Sequence, residues 1–249
     1  MTRTAVLWHS MLVDDRMWDK VAPAFAQSRY LLRISGPGHL GGPPAPRGSS
    51  LDDCVSLALA TLVAAGVDSP VDWVGSGWGG HVGILLAAAH PDRVRSLAVF
   101  DTPLTPLAVP ERMMMIALQS SLRIVGATRP IRRTIAAGML ADQSRKQRTA
   151  TAYLDDCLLR ADRSSLARMI GAVSIRRADL TPLSADLTMP TLFVSGEEDR
   201  VWGQEAAPSL RPAQPPRTVV TVPGARHLTP FEAPTATMDL VHAFWSRVD

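Results

Sequence analysis

The chain has few of the residues that would tie it to a disulfide scaffold, a membrane or a nucleic acid. It has 2 cysteines in 249 residues, and Cys54 and Cys157 stand far apart without metal-ligand spacing around either. Two idle or buried thiols are therefore expected, not a disulfide framework. No stretch approaches the run of about 20 apolar residues that spans a bilayer. Met1-Thr2-Arg3 leads directly into a strand pattern without a secretory leader, so a cytoplasmic location is the expectation. His9, His39, His81, His90 and His242 are scattered over different elements, and no glycine loop of the phosphate-cradling kind is present. Neither a metal nor a cofactor is expected. The net charge of +3 is local, because residues 111–179 carry 13 Lys+Arg against 6 Asp+Glu and the rest of the chain is net acidic. These arginines recur at helical spacing without lysine runs or interleaved aromatics, which reads as a solvated helix face. The expected partner is a small molecule, with a mild preference for an anionic one, and not nucleic acid or a membrane. A homo-oligomer is left open.

The hydrophobic content of 46% is ample for one large core. Strand-like runs bounded by turn residues lie at Thr4 to His9, Tyr30 to Ile34, Val71 to Val74, Ser96 to Phe100, Thr191 to Val194 and Thr218 to Val222. Helical patterns at Asp15 to Ala26 and Leu51 to Ala65 alternate with them, the second opened by Ser50 and Asp53 in capping-box spacing. Alternating strands and helices predict an α/β fold with a mainly parallel sheet of about six strands, whose ligands bind beyond the carboxyl ends of the strands. The alternation fails after Thr102. Prolines 103, 106 and 110 introduce a helix-rich stretch, so residues 103–185 are read as an inserted helical cap and residues 1–102 and 186–249 as the core. Met113, Met114 and Met115 at its start suit an adaptable wall, although ordinary packing explains any one of them as well.

The most informative segment is Val74-Gly75-Ser76-Gly77-Trp78-Gly79-Gly80, a sharp turn between a strand and a helix. In the G-x-S-x-G elbow, two glycines let strand and helix backbones approach while the residue between them projects its reactive side chain. Gly75 and Gly79 supply that pair and bracket Gly77. Taking Ser76 as the nucleophile would put Val74 and Trp78 at the glycine positions, so Ser76 is the wrong serine.

On these residues the chain resembles a cap-bearing member of the α/β-hydrolase superfamily over nearly its full length. Gly75-x-x-x-Gly79-Gly80 with His90-Pro91-Asp92-Arg93-Val94 is similar to the family's elbow and following helix. His9-Ser10-Met11 with Met17-Trp18 behind it resembles the His-Gly-x oxyanion loop, particularly that of enol-lactone hydrolases, and Trp78-Gly79-Gly80 is like the context found in epoxide-hydrolase-like members. Pro37-Gly38-His39 matches the turn after the next strand. The family's N-terminal hairpin is missing, because the chain starts on the oxyanion-loop strand. Late in the chain, Ser195 to Asp199 has the pattern of the family's acid and Pro223 to Leu228 that of its histidine loop.

The resemblance implies a catalytic pair of Asp199 and His227, in the order the fold requires. It also implies an oxyanion hole of the Met11 and Trp78 backbone N–H groups. Gly77, however, leaves the nucleophile position vacant: it has no oxygen or sulfur for an acyl-enzyme. Glycine also relieves the elbow's backbone strain, and the missing side chain is expected to leave room for a water near His227. The leading expectation is thus an enzyme without a covalent nucleophile, using His227 as general base for hydrolysis, elimination or lyase-type cleavage of a small, mostly apolar, activated carbonyl compound. Two alternatives stay open: a non-catalytic pseudo-hydrolase that binds a small ligand, and a serine or aspartate hydrolase whose nucleophile was replaced. Asp101 is a reserve acid, read as capping the turn before Pro103.

Overall fold

The computed structural model describes residues 3–200 and 217–249. Its centre is a six-stranded sheet: β1 (Thr4–Trp8), β2 (Tyr30–Ile34), β3 (Val71–Ser76), β4 (Val94–Phe100), β5 (Thr191–Gly196) and β6 (Arg217–Val222). The spatial order is β2-β1-β3-β4-β5-β6 and every neighbouring pair is parallel. Burial follows that order. β1, β3 and β5 are buried at every residue, whereas the edge strands β2 and β6 are partly exposed. Continuous apolar runs belong to strands covered on both faces, and the half-exposed ones to edges.

Helices fill the connections from β1 to β5. The segment after β1 is not the single helix its pattern predicts: a 3₁₀ turn (Asp15–Trp18) is followed by a one-turn helix α1 (Ala22–Phe25). Asp14 explains the break, since its carboxylate accepts from the Arg16 N–H and starts the chain on a tight turn. Helix α2 (Leu51–Ala64) opens on the capping box expected of Ser50 and Asp53, with both reciprocal bonds formed. Helix α3 (Trp78–Ala89) follows β3 and is buried on nearly all sides. Between β4 and β5 come α4 (Val109–Ile124), α5 (Arg129–Met139), α6 (Asp142–Arg145), α7 (Arg148–Arg160), α8 (Arg163–Ile170), a π-helical turn (Gly171–Ile175) and α9 (Thr181–Ala185). After β6 the chain ends in α10 (Thr229–Glu232) and α11 (Pro234–Val248).

At the amino ends of the strands, the fully buried Asp72 carboxylate pairs with Arg29 at 2.7 Å, with Arg95, and with the Ser96 hydroxyl. A buried charge persists only when so completely partnered. The opposite, carboxyl ends of the strands carry the site. No described helix is long and apolar enough to cross a membrane.

Candidate active site

The turn from β3 into α3 is as tight as its glycines require. A Cβ on Gly75 would overlap the Gly79 carbonyl, and one on Gly79 would overlap the carbonyl of Trp8 on the neighbouring strand. Gly77, at the apex, has φ 50° and ψ −106°, a conformation that costs a residue with a Cβ about 1–3 kcal/mol. Ser76 is fully buried on the strand and lines no part of the cavity described below.

Across the turn, the His227 Nδ1–H donates to Asp199 Oδ2 at 2.9 Å. This bond leaves Nε2 directed at the elbow: a Cβ built on Gly77 would lie 3.6 Å from it. Burial opposes protonation of His227, but the charge and hydrogen bond of Asp199 outweigh it and hold the imidazole pKa above its ordinary value. Asp101 does not cap the turn before Pro103. Its carboxylate accepts from the Gly196 N–H at 3.0 Å, the Thr229 N–H at 2.8 Å and the Thr229 hydroxyl at 2.8 Å, so it ties the end of β5 to the loop carrying His227. Burial, with the Asp199 charge nearby, raises its pKa. Asp101 also sits at φ 50°, a left-handed conformation rare for a side-chain-bearing residue.

The loop after β1 faces the elbow and is firmly latched. His9 Nδ1–H donates to the Ser10 carbonyl at 2.8 Å while its Nε2 accepts from the Gly36 N–H at 2.8 Å. The Leu12 N–H donates to His39 Nε2 at 3.3 Å, and the Ser10 N–H to Met17 Sδ at 3.3 Å. Burial lowers the pKa of both imidazoles, to about 3 for His39, so they act as neutral brackets. The amide N–H groups of Met11 and Trp78 donate to no acceptor among the described residues. The room for a water expected beside Gly77 is not free: the Ser10 hydroxyl fills it, with Oγ 2.5 Å from the point where a Cβ on residue 77 would stand.

Ser10, Met11, Gly77, Trp78 and His227 line one cavity of about 270 Å³, and helices α4, α5 and α8 with the π-helical turn supply most of its remaining, largely apolar wall. Met114 and Met115 face it, whereas Met113 does not. Two polar groups in the wall went unsingled from sequence. His81 Nε2–H donates to the Pro103 carbonyl at 2.8 Å, and burial lowers its pKa to about 3. Arg177 follows the π-helical turn and is 7% exposed; it donates to the Thr105 carbonyl and forms no carboxylate pair among the described residues. Burial lowers its pKa to about 10. A larger cavity of about 490 Å³, lined by Arg47, Arg123, Arg168 and Arg176 among others, contains none of these groups. Cys54 and Cys157 are buried, unpaired thiols, each pushed up to about 12 by burial. Among the described residues no cluster could hold a metal ion.

Comparison with known proteins places this geometry in context. The model of the alpha/beta hydrolase family matches residues 5–240. A pimeloyl-[acyl-carrier protein] methyl ester esterase of Edwardsiella ictaluri is 30% identical over 238 residues, spanning 92% of this chain and 87% of its own. The protein of that name from Xanthomonas axonopodis is 29% identical over 91% and 88% of the two chains. Among solved structures, an esterase from Thermogutta terrifontis superposes with a TM-score of 0.90 at 19% identity, covering 99% of this chain and 90% of its own. The enol-lactonase from Burkholderia xenovorans gives 0.88 at 23% identity, with 99% and 92% covered. At such identities the structural likeness speaks for the fold alone.

Proposed function

We propose, from the premise that this chain belongs to the alpha/beta hydrolase family, that it is an enzyme cleaving a small, mostly apolar, activated carbonyl compound with no nucleophile from its elbow. The observation that carries this reading is the 2.9 Å bond from His227 to Asp199, which fixes the tautomer and leaves Nε2 facing an apolar cavity beside Gly77. His227 takes a proton, Asp199 stabilises the resulting imidazolium, and the uncommitted N–H groups of Met11 and Trp78 receive the developing oxyanion. A positioned base is worth about 10²–10⁴ in rate and a preorganised donor about 10²–10³, which suits an ester, a lactone or a reactive carbon–carbon bond better than an amide. The names of the relatives favour an ester. Residues 103–185 form the cap over the site, and Arg177 in that cap gives the wall a cation with no carboxylate partner among the described residues, a place for an anionic group on the substrate. Two unpaired, buried thiols suit the reducing cytoplasm.

The test is turnover of a panel of p-nitrophenyl esters and enol lactones, with and without a carboxylate on the acyl chain. Turnover that His227→Ala lowers at least 100-fold is expected; turnover indifferent to that change refutes the reading. Saturable binding without any turnover would make the protein a ligand-binding relative instead.

A further inference from the structure

A family member with a bare elbow should have lost its reactive hydroxyl, yet one lies in the same place, brought there by another strand. Ser10 is fully buried, and its Oγ has no hydrogen-bond partner among the described residues. A buried hydroxyl forgoes about 1–3 kcal/mol when unpartnered, so this one calls for an explanation beyond packing. Ser10 is one of the residues that line the catalytic cavity. The position that the Cβ of an elbow nucleophile would take lies 2.5 Å from Ser10 Oγ and 3.6 Å from His227 Nε2, so the hydroxyl and the imidazole both lie close to one point. Ser10 is also held there. The carbonyl of Ser10 is bonded by His9, its N–H by Met17, the His9 carbonyl by the Gly79 N–H of α3, and two residues on, Leu12 is kept at φ 72°. A non-glycine residue stays in that conformation only where the surroundings over-determine it. Finally, Ser10 occupies the middle position of a loop resembling His-Gly-x, while Gly77 occupies the serine position of the elbow. Against the motif each segment resembles, serine stands in the loop and glycine at the elbow.

From this we infer that Ser10 is the enzyme's nucleophile, its hydroxyl transplanted from the elbow to the facing loop and activated by the same imidazole. The inference rests on His227 being the base, as proposed above, and replaces only the attacking group. Ser10 Oγ bonds to the carbonyl carbon of an ester as its proton passes to His227 Nε2. The bond from that carbon to the alcohol oxygen then breaks, and the alcohol leaves with the proton. Water attacks the acyl-Ser10 ester with His227 again as base, releasing the acid and restoring the hydroxyl. Met11 and Trp78 line the same cavity as Ser10, and their uncommitted amides are the donors assigned to the oxyanion. The hydroxyl need not touch Nε2 before substrate binds, because such bonds commonly tighten in the complex.

The experiment treats the full chain with a fluorophosphonate and maps the adduct by peptide mass. Ser10 falls in the tryptic peptide Thr4 to Arg16 and residue 77 in Gly48 to Arg93, so the two positions separate cleanly. One adduct on the Ser10 peptide is expected, absent from Ser10→Ala and from His227→Ala, with p-nitrophenyl ester turnover at least 100-fold lower in Ser10→Ala. In the double variant Ser10→Gly with Gly77→Ser the adduct moves to the second peptide. An adduct elsewhere in the native chain, or turnover kept within threefold in Ser10→Ala while His227→Ala loses it, overturns the inference and leaves the base reading intact with water attacking. Absence of both adduct and His227-dependent turnover overturns both.

Discussion

His227 and His81 line the same cavity, and both are buried, yet their environments push them in opposite directions. His81 faces the Pro103 carbonyl and the Arg177 cation; burial dominates, and the imidazole stays neutral far below neutral pH. His227 faces Asp199, with Asp101 behind, and the carboxylates overcome the same desolvation. Burial alone therefore makes a histidine inert. A carboxylate on the far nitrogen turns the same ring into a base that can hold a proton in transit.

Removing that carboxylate should make His227 behave like His81. With Asp199→Asn, kcat/KM is expected to fall about 10²–10⁴-fold, close to the loss seen when a triad aspartate becomes an asparagine. The pH profile gives the sign. A base must be unprotonated, so activity should rise with pH through a midpoint above 6.5 in the native protein. In Asp199→Asn the remaining desolvation should carry that midpoint below 6.5, and an unmoved midpoint would show that Asp199 does not set it. Asp101→Asn sharpens the comparison at smaller amplitude. It removes one of the charges that raise His227 and sets an amide –NH₂ against donors that Asp101 now satisfies, so about 1–3 kcal/mol of stability should be lost by thermal or urea unfolding. The midpoint should move down with it. The smallest effect belongs to the other ring: His81→Gln should change kcat less than about tenfold, since a neutral bracket to a carbonyl does no proton transfer. A larger loss, measured on the same ester, would break the distinction.

Much of this site could be read from sequence because local chemistry dictates it. The strands are short β-branched runs closed by turn residues, and each lies within two residues of its expected ends. Gly75 and Gly79 announce the elbow because backbone atoms from two other elements fill the space of their Cβ. What escaped depends on distances between elements that no local pattern encodes. Ser10 was visible only as part of an oxyanion loop, although serine at the middle position of that loop, read together with glycine at residue 77, was the available signal. Asp101, apparently a turn residue, proved to reach across to Gly196 and Thr229, which lie 95 and 128 residues away. His81 and Arg177 meet in the cavity wall only because the helices between β4 and β5 fold back over α3.

The glycines that shape the elbow are constrained by the Trp8 and Gly79 carbonyls, not by any reaction. Positions 75 and 79 are therefore frozen by backbone, whereas at position 77 a Cβ would meet a side-chain atom, the Ser10 hydroxyl. A side chain at position 77 has to displace that hydroxyl, so residues 10 and 77 constrain each other although 67 residues separate them in the chain.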